Sequence, residues 1–230
     1  MTTIAGRLTQ VRRATSDAAE RAGRDPDSVT LVAVSKTWPA DVLLEAIDAG
    51  VHDLGENRAQ EFKEKVAVLG DRARWHFVGN LQTNKVRQVV GVCELVHSVD
   101  RMGLANEVSR RAELAHITQD VLVEVNVAGD PSKHGVEPAR ALALADEVAA
   151  LPGLRVAGLM TMPPYPDDPE QSRPLYRDLA TLSEQLVARV PEATQLSMGM
   201  SRDYVVAIEE GATIVRIGTA IFGPRSPRRS

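Results

Sequence analysis

Apolar residues along the chain follow two alternating rhythms. Runs rich in Val, Ile and Leu occupy residues 30–35, 51–55, 75–78, 95–99, 120–127, 155–161, 195–198 and 213–217. Between them lie stretches with apolar residues at three- and four-residue spacing, at 40–49, 59–68, 102–115, 138–151, 174–190 and 203–210. A shorter stretch of this kind covers 84–90, and a long polar amphipathic one covers 4–22. Continuous apolar runs predict strands of a parallel sheet with its outer face covered, and the wider spacing predicts helices. Regular alternation of the two calls for βαβ units. Eight such units within 230 residues predict a closed (β/α)8 TIM barrel with an extra N-terminal helix. An open doubly wound sheet fits the count less well.

The Pro-rich stretch 162–174 predicts a long loop after the sixth strand. No break in composition marks a domain boundary, so residues 1–223 read as one domain. The tail 224–230, PRSPRRS, reads as a flexible, solvated terminus.

Charge narrows the classes of function. Lys and Arg total 27 against 31 for Asp and Glu, a net charge of −4, which gives no electrostatic reason to bind nucleic acid. Aromatics make up only 3% of the chain, too few for base-stacking platforms. The single cysteine, Cys93, cannot form an internal disulfide and points to a reducing compartment. No apolar run approaches the ~18 residues of a membrane span, and the N-terminus lacks a signal-peptide core. A cytoplasmic, soluble protein is expected.

In a barrel of this kind the chemistry sits at the C-terminal ends of the strands. Among only five lysines, Lys36 directly follows the first strand, where it is either an amine nucleophile, its pKa lowered by low-dielectric walls, or an ordinary strand-end surface lysine. Lys63 and Lys65, in the Glu-rich QEFKEK, read as solvated surface charges, whereas Lys85 and Lys133 lie in loops. The loops after strands seven and eight, which often hold phosphate in this fold, contain Gly199, Met200, Ser201, Gly218 and Thr219. Ordinary turn glycines with Ser201 as a helix cap would look the same. Arg216 alternates onto one face of TIVRIG with Ile214 and Gly218, and needs an acceptor: a core carboxylate, a ring nitrogen or a phosphate. Asn57 in GENR could position a ring substituent, Glu56 and Arg58 could pair with neighbours, and His76 reads as a hydrogen-bonded barrel histidine. No metal-ligand spacing, Walker motif or dinucleotide glycine motif is present. A lysine amine, a phosphate cradle and a ring-directed arginine in one barrel mouth suggest pyridoxal 5′-phosphate as the ligand.

The segments LVAVSKTWP, LGENRAQEFKEK, WHFVGNLQTNK, HSVDR, VNVAGDPSKHG, GLMTM, LSMGMSRDY and VRIGTAIFG run in order from residue 31 to 223. In them the chain resembles the pyridoxal-phosphate homeostasis proteins, single-domain relatives of the alanine racemase N-terminal barrel (pyridoxal-phosphate fold type III). The family often carries Phe in place of Leu54 and Ile in place of Val78, neither at a proposed ligand position. The resemblance implies that Lys36 holds the cofactor as an internal aldimine, that Ser201, Gly218 and Thr219 bind its phosphate, and that Arg216 faces the pyridine nitrogen. It further implies that Asn57 contacts the ring and that Met200 lines the site. His76 and Lys133 fall in matching segments without an assigned role.

Related racemases use a second domain that supplies a tyrosine, and this sequence stops at the eighth strand. Its own tyrosines do not obviously replace that base: Tyr165 lies in the Pro-rich loop, and Tyr176 and Tyr204 lie in helices. A permanent guanidinium at the ring nitrogen also weakens the cofactor as an electron sink. The expectation is therefore a non-catalytic, monomeric carrier and regulator of pyridoxal phosphate, with transient contact to apo-enzymes. A weak amino-acid racemase is the alternative, and a lysine Schiff-base aldolase a third.

Overall fold

The computed structural model describes residues 3–224. Eight parallel strands pair in chain order and close on themselves, β1 against β8. They are β1 (Thr30–Val34), β2 (Asp53–Glu56), β3 (Arg74–Phe77), β4 (Leu95–Val99), β5 (Gln119–Glu124), β6 (Leu154–Met160), β7 (Gln195–Ser197) and β8 (Ile214–Ile217). Every expected strand is present, and most end a residue or more before their apolar run does. The helices are α1 (Ile4–Arg21), α2 (Ala40–Asp48), α3 (Ala59–Leu69), α4 (Met102–Leu114), α5 (Pro138–Ala149), α6 (Arg173–Val187), α7 (Tyr204–Glu209) and α8 (Thr219–Phe222).

The helix expected at 84–90 is instead a 3₁₀ turn over Thr83–Gln88. Val89, Val90 and Gly91 follow it, and two β-branched residues before a glycine give the turn little to propagate into. It still buries Val86, with Val89 just beyond, against the barrel wall.

Helix α1 starts where Thr3 Oγ1 accepts the Gly6 N–H at 3.1 Å. Its buried stripe is Ile4, Leu8, Val11, Thr15, Ala18 and Ala19, the spacing of a one-faced helix. It stops at Gly23, whose φ of 69° allows Arg24 N–H to reach Ala19 O at 2.9 Å. This helix packs on α7, α8 and α2. Since α8 is only four residues long, α1 serves as the outer cover over the β8–β1 seam. Arg7 adds hydrogen bonds to the carbonyls of Ile221 and Phe222 at 2.6 and 3.1 Å.

Strand alternation divides the interior in two. Outward-facing residues such as Ala33, Leu54, Phe77, Val96, Val215 and Ile217 join the helices in the main apolar core. The lumen holds a smaller apolar cluster, including Val32, Leu95, Leu122, Met160 and Ile214. Arg216 is buried on the Ile214 face of β8, as its alternation requires. Of the basic tail expected at 224–230, all but Pro224 lies outside the described residues.

Candidate functional site

At the C-terminal end of the barrel, one cavity of about 540 Å³ is lined by Lys36, Asn57, Met200, Ser201, Arg216, Gly218 and Thr219. The fold thus brings together all seven residues singled out in the sequence. They come from the ends of β1, β2, β7 and β8.

Lys36 leaves β1 on a strained turn. Thr37 has φ 69°, an unfavourable region for a β-branched residue, and its N–H donates to Glu61 Oε2 at 2.8 Å. Beneath the turn lies a buried ion pair. Lys65 Nζ donates to Ser35 O at 2.8 Å and to Glu56 Oε1, while the Ser35 hydroxyl also donates to Glu56 Oε1. Lys65 is therefore not the solvated surface charge that QEFKEK implied: only 7% of it is exposed. The stripe Ala59, Phe62, Leu69 of α3 runs through position 65, so the chain's helical period places this lysine inward. Lys63 is exposed, as expected. Glu56 pairs with a neighbour, and burial pushes its carboxyl above the usual range although Lys65 opposes this. Trp38, two residues after Lys36, stacks on Phe222 with ring centroids 6.0 Å apart, tying the lysine turn to α8.

Asn57 Oδ1 is buried in the described structure without a hydrogen-bond partner. Gly79 lies so close behind that a Cβ there would come within 2.3 Å of Asn57 O, so only glycine leaves room. Arg58, which also lines the cavity, pairs with Glu61 at 3.5 Å.

Ser201 is not a helix cap. Its Oγ accepts N–H groups of Gly218 at 3.1 Å and Ala220 at 3.3 Å, from the loop after β8. The loop before it is fixed by Asp203, fully buried, which accepts from Met200 N, Ser172 Oγ and Tyr176 Oη. Gly199 has φ 90°, and a Cβ there would meet Ala207 Cβ at 2.6 Å. Asp203 went unnoticed in the sequence because it looks like an ordinary acid at a helix start.

Arg216 meets neither a core carboxylate nor a charge at contact distance. Its guanidinium donates to Ser197 Oγ at 2.6 Å and to Thr161 O at 2.7 Å. His76 is hydrogen-bonded inside the barrel, as expected, to Asp53 and His97. Lys133 is exposed, and its neighbour His134 meets Asn80. Tyr165, left in the Pro-rich loop by the sequence, lines the cavity with its ring under Arg202, 4.6 Å from guanidinium carbon to centroid. Tyr176 is buried on Asp203, and its hydroxyl is held far above the ordinary phenol range by burial and that carboxylate.

A lysine, an arginine, an unpartnered amide oxygen and a serine hydroxyl thus line one cavity. Residues 7–226 match the family described as the alanine racemase N-terminal domain. A curated protein of Aquifex aeolicus, named pyridoxal phosphate homeostasis protein, is 48% identical over 95% of this chain and 97% of its own. The Escherichia coli K12 protein of the same name is 42% identical over 98% of both chains. The chain belongs to the pyridoxal phosphate homeostasis protein family. Among solved structures, PipY of Synechococcus elongatus with PLP bound is 34% identical and superposes with a TM-score of 0.83, covering 96% of this chain and all of that one. No helix among the described residues is long and apolar enough to cross a membrane.

Proposed function

We propose that this chain binds pyridoxal 5′-phosphate reversibly through Lys36 and acts in the homeostasis of that cofactor as a holder and donor, without catalysis of its own. The observation that carries the reading is the convergence of Lys36, Asn57, Arg216 and the Ser201–Gly218 loop pair on one cavity. The buried, unpartnered Asn57 Oδ1 fits a polar ligand there. The names of the curated relatives and the PLP-bound PipY support the same reading.

When bound, the cofactor supplies an aldehyde carbon that condenses reversibly with a primary amine. Lys36 provides that amine from a turn clamped by Glu61, Ser35 and Lys65. Thr219 and the Ser201 hydroxyl offer hydrogens to phosphate oxygens, Gly218, its N–H held by Ser201 Oγ, leaves room beside them, and Met200 packs at the edge. Arg216 has five N–H groups and spends one at each terminal nitrogen on Ser197 and Thr161, keeping donors for a ring nitrogen. Its fixed positive charge opposes a second one on that ring, which favours holding over carbanion chemistry. An incoming amine, free or on a transiently docked apo-enzyme, displaces Lys36 and takes the cofactor away.

Tyr165 favours one second reading, slow amino-acid racemisation, because its hydroxyl-bearing ring lines the same cavity. Exchange of the α-proton of D- and L-alanine by purified protein separates the two, and robust turnover overturns the carrier role. The cofactor itself is tested by visible absorption with and without Lys36→Ala. The parent shows a visible band that the variant loses. A parent that stays colourless after incubation with pyridoxal phosphate overturns the reading.

A further inference from the structure

The barrel lumen contains a continuous line of hydrogen bonds between its two ends. At the floor, Asp53 opens β2 and pairs with Arg74 at 2.8 Å. Asp53 Oδ1 lies 3.0 Å from His76 Nε2, and His76 Nδ1 lies 3.0 Å from His97 Nε2. His97 Nδ1 then crosses the lumen to Ser197 Oγ on β7, 2.9 Å away. Ser197 Oγ accepts from Arg216 at the mouth. Each residue of the line is at least nine-tenths buried, from Asp53 at 5% exposure to His97 and Ser197 at none.

Only one direction satisfies every member. Ser197 accepts from Arg216, so its own hydroxyl hydrogen needs an acceptor, and His97 Nδ1 is the one within reach. His97 then carries its proton on Nε2 and donates to His76 Nδ1. His76 in turn carries its proton on Nε2 and donates to Asp53. The reverse direction leaves the fully buried Ser197 hydroxyl without an acceptor, a cost of about 1–3 kcal/mol. A neutral His97 agrees with its surroundings: burial, then His76 and Arg216, push its pKa well below the ordinary value.

We propose that Ser197, His97, His76 and Asp53 form a one-way relay that positions Arg216 for the cofactor ring, its charged end at Asp53 anchored on the floor of the barrel by Arg74. This rests on the cofactor reading above. The partners that Arg216 touches are uncharged, and burial alone disfavours its charge. Glu124 and Asp203 act on it through space, as does the Tyr176 phenol. Of these, Asp203 is spent on the Met200 loop, and Glu124 resists ionisation, with a pKa of about 7. A polarised line of neutral groups ending on Asp53 keeps the guanidinium oriented without placing a carboxylate against the ligand ring. The positioning residues thus let Arg216 present unshared N–H donors to the mouth.

The imidazole ¹⁵N spectrum of the apo-protein tests the relay without any cofactor. Both His76 and His97 are expected as neutral Nε2–H tautomers, and an Nδ1–H or doubly protonated ring at either overturns the direction. In protein loaded with pyridoxal phosphate, His97→Leu is expected to weaken binding about tenfold and shift the visible band, the scale of one lost charge-assisted hydrogen bond. His97→Gln, whose amide both accepts and donates, returns affinity and band to within about threefold of the parent. Ser197→Ala cuts the same line and carries the comparison if His97→Leu does not fold. A folded, cut variant with the parent's affinity and band overturns the positioning role. Asp53→Asn keeps the acceptor for His76 but removes the charge, and is expected to weaken binding about threefold. No change there overturns Asp53 as the charged end that polarises the relay. A parent that takes up no pyridoxal phosphate overturns the cofactor reading, and the imidazole spectra then decide the relay alone.

Discussion

Lys36 and Arg216, both at the barrel mouth, are supported in opposite ways. Lys36 stands on a charged clamp outside the strand ring, where Lys65, Glu56 and Glu61 are packed within one or two bonds of its turn. Arg216 stands on uncharged partners inside the ring, with no carboxylate hydrogen-bonded to it among the described residues. On the proposed reading, the difference follows from what each would do. A lysine that forms and breaks a covalent bond needs its backbone turn held rigidly, and opposite charges at short range do that. An arginine that faces a ligand ring must keep N–H donors unspent, which a touching carboxylate would consume in a bidentate pair. Ion pairing fixes main chain on one side, and polarised neutral groups aim a side chain on the other.

The largest expected effect breaks the clamp. Lys65→Met leaves Glu56 buried and unpaired, and should cost about 3–5 kcal/mol in urea unfolding. Adding Glu56→Gln should recover much of that loss. A single variant as stable as the parent would show that the clamp is not ionic in effect.

The second test concerns the lumen. Burial and Asp100 raise Glu124 from 4.5 to about 7, against the pull of Arg216. Because the folded-state value is the higher one, its contribution to stability is complete below about pH 4.5 and is lost as pH rises through 7. Glu124→Gln should remove a decline of about 3 kcal/mol across that window, read as the difference between parent and variant melts. Parallel profiles would mean that Glu124 is ionised in the fold and serves Arg216 as a close counter-charge. The smallest effect belongs to Asn57→Ala, which removes the unpartnered oxygen. Titration with pyridoxal phosphate should show affinity about threefold lower while the visible band persists. A lost band would move Asn57 into the support of Lys36.

Much of this arrangement was legible in the sequence, because the barrel writes its strands as separate apolar runs. Residues at strand ends could be placed at the mouth by count alone, which is why Lys36, Asn57, Ser201, Arg216, Gly218 and Thr219 all reach one cavity. Support from neighbouring elements was harder to see. Lys65 sits in a charged hexapeptide that looks solvated, and only its phase with Phe62 and Leu69 betrays it. His97 lies inside an apolar run where alternation turns it inward with Leu95, but its partners come from β3 and β7, and no local spacing encodes a contact across a lumen. The 3₁₀ turn at Thr83–Gln88 was misread for the complementary reason: helical spacing was present, and the Val-Val-Gly sequence after it outweighed that spacing.

The seam between β8 and β1, covered by α1, has a consequence for the order in which the molecule is made. Lys36 emerges early from the ribosome, whereas Ser201, Arg216 and Thr219 come last. Until β8 docks beside β1 and Arg7 grips the carbonyls of Ile221 and Phe222, Lys36 has no Ser201, Gly218 and Thr219 across a cavity from it. The first and last strands must meet before the cavity exists, so its two walls are assembled only by the pairing that closes the ring.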